Sequence, residues 1–208
     1  MEHDIYMHAI NARYEYDSVS TRVVLYKILK CNALLSLRKQ RRFNKGGFAG
    51  RDYISLCDYN KKDILNKGVD EYNSYHTYIK NSLSLMIAKE GIDVIEPQLV
   101  DICTKSGYAF RKMEILGKSK TLRYSDMPDE VQVKDKLNLD NLIGVTFPTH
   151  LLCGPDKEFS KEVIQIIIND IDAILKKFDR DLPIYDINTE LNLKDKNQKE
   201  LVIEKLYK

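Results

Sequence analysis

The sequence has few cysteines, and none falls into a metal-binding rhythm. Cys31, Cys57, Cys103 and Cys153 show no C-x-x-C spacing and no adjacent His pair, so no structural metal is expected. Apolar flanks such as YISLCDY and LVDICTK mark them as small buried hydrophobes in a reducing compartment. No apolar run is long enough to cross a bilayer, and MEHDIYMHAINARYEYD lacks the basic head and apolar block of a secretory signal. A soluble, cytoplasmic chain with no membrane partner is expected, in the producing cell or in a target cell that receives it. An excess of one charge is missing too. The 33 Lys+Arg against 31 Asp+Glu leave a formal +2, which by itself names no nucleic-acid partner. No strand leads into a dinucleotide fingerprint or a Walker loop, because NKGGFAG lacks the Lys-Ser/Thr ending and precedes a strand. Internal repeats and low-complexity segments are absent.

What remains is enough for one core: 208 residues, of which 43% are hydrophobic. IYMHAI alternates as a first strand with Tyr6, His8 and Ile10 on one face. Asp17 or Ser18 can cap a helix carrying Val24, Leu25, Ile28 and Leu29, which Asn32 then stops. ALLS reads as an apolar connection, and LRKQRRFNKGGFAG as a basic loop. YISLCDY is a strand with Tyr53, Ser55 and Cys57 on one face and Ile54 and Leu56 on the other. SLSLMIA, AFRKMEIL, EVQVK and LIGVTFP follow as strands, with a turn at DKLNLDN. Pro155 to Lys177 is a helix with a wide apolar stripe, Pro183 prevents its continuation, and NQKELVIEKLYK is a terminal helix. This order is α+β rather than a regular βαβ series.

His8 in IYMHAI, Tyr53 in GRDYISL and Glu130 at the head of DEVQVKDKLNLDNLIGV together resemble the His-Tyr-Glu group of the ADP-ribosyltransferase superfamily, which includes diphtheria-type toxins and poly-ADP-ribose polymerases. In that group His lies on the first strand, Tyr on a strand after a helix and loop, and Glu at the start of a late strand. The resemblance implies a split β-sheet core with flanking helices. Residues 1–150 would form the NAD-binding core, and 151–208 a C-terminal helical extension packed on the same domain. It implies Glu130 as the catalytic residue, and His8, Ala9, Tyr53 and Ser55 as the residues that hold NAD, the substrate. His8 would bond the adenosine-side ribose, Tyr53 would lie against the nicotinamide ring, and the backbone of Ala9 would hold the nicotinamide amide. Ala9 stands where Gly is usual, and Ile10 where Ser or Thr is common. The rival Arg, Ser-Thr-Ser and Glu-x-Glu pattern, with Arg13 and Ser55 as candidates, fails because the Ser-x-Ser run is missing and Pro128 precedes Glu130 by two residues.

The implied activity is mono-ADP-ribosyl transfer from NAD to a macromolecule, protein or nucleic acid, by a toxin or effector of bacterial or phage type. An antitoxin or immunity protein would be a natural partner. NAD glycohydrolysis or cyclisation is the alternative enzyme, and a non-catalytic NAD-binding or interaction module of the same fold, suggested by Ala9 and Ile10, is the alternative from another class. Arg123, Tyr124 and Asp126 should border the acceptor side, and the basic residues Arg38 to Lys45 would meet phosphates.

Overall fold

Helical spacing and strand alternation place most elements where the sequence puts them. Strand β1 (Ile5–Ala9) is followed by helix α1 (Ser18–Cys31), which buries Thr21, Leu25 and Leu29 along one side, the stripe of a core-facing helix. Asn32 adopts a φ of 47° and ends it, a conformation that Asn tolerates better than most residues. The computed structural model describes residues 4–10, 18–36, 53–61, 74–96, 98–99, 124–125, 127 and 129–208. The basic stretch 37–52, the strand expected at AFRKMEIL, and Arg13, Arg123, Asp126 and Pro128 lie outside the described residues.

After Asn32 come β2 (Ala33–Leu35), β3 (Tyr53–Asp58), α2 (Tyr75–Lys80), β4 (Ser84–Ala88) and two short strands, β5 (Gln98–Leu99) and β6 (Tyr124–Ser125). Then follow β7 (Glu130–Lys134), β8 (Lys136–Asn138), β9 (Leu142–Phe147), a 3-10 turn at Thr149–Leu152, α3 (Lys157–Lys176), β10 (Ile184–Asp186) and α4 (Lys196–Leu206). Six strands form one mixed sheet in the order β10-β9-β4-β1-β3-β7, in which β9 and β10 are parallel and the other neighbours antiparallel. The expected α+β class is therefore observed.

Two expectations change. ALL, read as a connection, is β2, because it pairs with β8 in the stretch read as a turn, with the buried Leu34 opposite the buried Leu137. The region after 150, read as helical, also supplies β10, which extends the main sheet beside β9. Gly144 suits that close approach: an added Cβ would lie 3.1 Å from the Met86 sulfur and 3.4 Å from the Pro183 carbonyl oxygen, a tight fit.

The sheet has two apolar faces. Tyr6, Ile10, Ile54, Leu56, Leu85, Ile87, Val131 and Val145 pack under α1 and α3 in the larger core. Ile5, Met7, Ala9, Cys57 and Met86 form the smaller core on the opposite face, with Ile79 of α2 and the flanking Tyr75. The alternation expected for β1 and β3 thus holds. Burying each large aliphatic side chain contributes about 1.5–3 kcal/mol, so the α3 stripe of Ile164, Ile168, Ile171 and Leu175, all buried, is a main source of stability. No helix among the described residues is long and apolar enough to span a membrane.

Candidate functional site

The strands carrying His8, Tyr53 and Glu130 are neighbours, with β3 between β1 and β7. The antiparallel ladder between β3 and β7 pairs Tyr53 with Lys134, Ser55 with Gln132 and Cys57 with Glu130. Partners across a ladder share a face, so Tyr53, Ser55, Glu130 and Gln132 all project to the side of the smaller core. Tyr53 is four residues from Glu130's partner, roughly 13 Å along the strand at about 3.3 Å per residue. The Glu130 side chain shortens that distance by leaning diagonally back along β3, where its Oε1 accepts a 2.6 Å hydrogen bond from Ser55 Oγ. Gln132 Nε2 donates to the same oxygen at 3.0 Å. Two donors on one oxygen fix the carboxylate's position at the head of β7.

On the other side of β3 the ladder opens. Its pairs with β1 are Tyr6 with Asp58 and Met7 with Cys57. A continued ladder would place Ala9 opposite Ser55. Instead the Ser55 carbonyl accepts from His8 Nδ1 at 3.1 Å and from the Tyr75 hydroxyl at 3.2 Å. A carbonyl can only accept, so His8 carries its proton on Nδ1 and presents Nε2 as an acceptor. Burial lowers the His8 pKa against the opposing pull of the Ser55 carbonyl, which favours the neutral ring. Burial also pushes the Tyr75 phenol well above its ordinary value, with Cys57 and Glu130 adding to the shift, so it remains a donor.

The opening leaves a specific pair of backbone groups without a partner in the β1–β3 ladder. Ile10 N–H bonds to the Leu83 carbonyl at 2.8 Å, so the groups of Ile10 point toward β4. Backbone groups alternate sides along an antiparallel strand. Those of Ala9 therefore point toward β3, beyond the last β1–β3 pair.

His8 is thus joined to Glu130 through Ser55, although strand alternation starts the two side chains on opposite faces. Tyr53 shares Ser55's face at the outer end of β3. Sequence reasoning missed Tyr75 and Gln132. Gln132 had a usable signal, since two residues along a strand returns to the same face. It is buried, and its Oε1 has no hydrogen-bond partner. Tyr75 had none, because its contribution depends on where α2 docks. A separate groove of about 430 Å³, lined by Gly91, Asp93, Lys134, Lys136, Asp140 and Asn141 among others, contains none of the residues expected to hold NAD.

Behind Glu130 lies a buried polar cluster that the cysteine spacing did not reveal. Asp129 Oδ1 accepts from Tyr75 N–H at 2.8 Å, and Oδ2 accepts from Ser74 Oγ at 2.8 Å, His76 N–H at 2.9 Å and His76 Nδ1 at 3.0 Å. Burial acts to raise the Asp129 pKa, but these donors together prevail and hold it at about 2. The carboxylate caps α2 and ties it to the head of β7. Compared with known proteins, the chain matches no family model, no curated protein and no solved structure.

Proposed function

We propose that the chain cleaves NAD at the nicotinamide-ribose bond and transfers ADP-ribose to a macromolecular acceptor. The observation that carries this reading is the opened β1–β3 ladder at Ala9 and Ser55, with the Glu130 carboxylate tethered to Ser55. Breaking the glycosidic bond sends its electron pair to nicotinamide, which leaves neutral, and the ribose becomes a cation at its anomeric carbon. The acceptor's nucleophile then bonds to that carbon and loses its proton. A preplaced carboxylate favours the cationic transition state over the ground state, and Glu130 fills that role while holding a ribose hydroxyl.

The other residues have roles consistent with this chemistry. The Ala9 backbone offers an N–H donor and a carbonyl acceptor, the complement of a carboxamide. Because these are main-chain groups, Ala in place of Gly does not remove them. The neutral His8 ring offers Nε2 to a ribose hydroxyl. The half-buried Tyr53 ring offers a flat face to nicotinamide with few rotatable bonds.

The test is nicotinamide release from NAD by purified protein, with and without cell lysate, and mass spectrometry of the lysate for ADP-ribose on protein and nucleic acid. Release that rises with lysate, labelled acceptors, and loss of both in folded Glu130→Ala are the expected results. No release under either condition, or an unimpaired Glu130→Ala, refutes the proposal. Free ADP-ribose without lysate and no labelled acceptor would make the protein a glycohydrolase.

A further inference from the structure

We infer that Cys57, His76 and Asp129 form a binding site for a zinc-class divalent cation. The three residues come from β3, α2 and the turn before β7, and they are 0%, 4% and 1% exposed. Their donor atoms form a small triangle: Cys57 Sγ to His76 Nδ1 is 3.4 Å, Cys57 Sγ to Asp129 Oδ2 is 3.5 Å, and His76 Nδ1 to Asp129 Oδ2 is 3.0 Å. Zinc bonds of about 2.3 Å to sulfur and about 2.0–2.1 Å to nitrogen and oxygen, at tetrahedral angles, place ligand atoms roughly 3.3–3.6 Å apart. Small adjustments, chiefly a slight widening of the nitrogen–oxygen side, seat an ion at bonding distance from all three.

Without an ion the cluster is oversupplied with donors. Asp129 Oδ2 faces Ser74 Oγ, His76 N–H, His76 Nδ1 and the Cys57 thiol at once, more than the two lone pairs of one oxygen can serve well. One cation replaces the thiol and Nδ1 protons, leaving Oδ2 the ion, Ser74 and the His76 backbone. The His76 ring turns one nitrogen to the cluster. Its Nε2 is buried with no partner, and Tyr59 stacks on the ring at 5.1 Å between centroids, so its polar contacts all act at Nδ1.

The proton balance is simple. Burial, with Asp129 adding, pushes the Cys57 thiol well up, so the empty site holds a neutral thiol. Binding releases that proton to solvent and shifts the imidazole proton from Nδ1 to Nε2. Thiolate, carboxylate and a 2+ ion then sum to zero, which suits a buried location. Sulfur, nitrogen and oxygen donors together suit zinc better than calcium or magnesium. A water takes the fourth position, as where zinc is held by three side chains. The ion would join β3, α2 and β7 one residue before Glu130.

The experiment measures metal directly. Protein purified from zinc-supplemented cells should hold about one zinc per chain by plasma mass spectrometry. Chelated protein refolded from guanidinium with Co²⁺ alone should show a near-ultraviolet thiolate-to-cobalt band, which one equivalent of Zn²⁺ removes. The band should persist in Cys31→Ala, whose cysteine is exposed, and vanish in Cys57→Ala. Wild-type protein that takes up neither ion on refolding, or a band that survives in Cys57→Ala, overturns the site. Absence of uptake by wild-type protein overturns the site even if Cys57→Ala does not fold. NAD turnover is not read, so failure here and failure of the proposed activity are separate results.

Discussion

Asp129→Ala should be among the most costly single substitutions in the chain, and the cost can be worked from its bonds. Five donors converge on this carboxylate, from Ser74, Tyr75, twice from His76 and, weakly, from the Cys57 thiol. After truncation, His76 N–H keeps the Ser74 hydroxyl at 3.2 Å, and that hydroxyl can rotate. Tyr75 N–H and His76 Nδ1 lose their acceptor. Two buried unsatisfied groups at about 1–3 kcal/mol each give roughly 2–6 kcal/mol. That is a large share of the roughly 5–15 kcal/mol that holds a domain folded. Asp129→Asn keeps one acceptor oxygen where four donors meet and places its NH₂ against Tyr75 N–H, so it should cost about half as much. Urea unfolding with chelator present, followed by far-ultraviolet circular dichroism, checks this through the midpoint at unchanged slope. An Ala variant within about 1 kcal/mol of wild type, or an Asn variant less stable than Ala, would refute the assignment of Asp129 as the cap that joins α2 to β7.

Three further outcomes are expected. Ser55→Ala removes the donor to Glu130 while leaving Gln132 in place, and a charge-assisted bond worth about 1.5–3 kcal/mol predicts a drop of about 10- to 150-fold in nicotinamide release from protein that is still folded. Full activity in that variant would show that Ser55 does not position the carboxylate. Ile171→Ala, at a fully buried position on α3, should cost about 2–5 kcal/mol in the same urea assay; a change under about 1 kcal/mol would contradict the packing. For Asp172, burial acts to raise the pKa, but bonds from Lys176 and Lys194 prevail and hold it below the usual carboxylate range. A folded pKa below the unfolded value means that its stabilisation is present above about pH 4 and is lost as pH falls through the folded value. Asp172→Asn should therefore flatten the acid limb of the stability profile, and an identical limb in the variant would show that the ion pairs contribute nothing measurable.

Legibility followed the range of the forces involved. β1, α1, β3, β4, β7, β9, α3 and α4 could be read because alternation and helical periodicity are properties of a few consecutive residues. β2, β8 and β10 are three residues each, too short to show a period, and exist because a distant segment pairs with them. Glu130 was visible as a carboxylate heading an alternating run. Its donors were not, since Ser55 lies 75 positions away in the chain. The Cys57, His76 and Asp129 cluster escaped spacing rules for the same reason, with ligand atoms contributed by three separate elements.

The sequence by itself determined which residues share a face on the longer strands and helices, because side-chain direction follows from backbone geometry within one or two turns of chain. Only the tertiary structure decided that the β1–β3 ladder ends at Met7 and Cys57, that His8 and Tyr75 take the Ser55 carbonyl, and that Asp129 reaches the start of α2. Those outcomes depend on competition among many backbone donors and acceptors for partners, and that competition is settled only when distant segments meet.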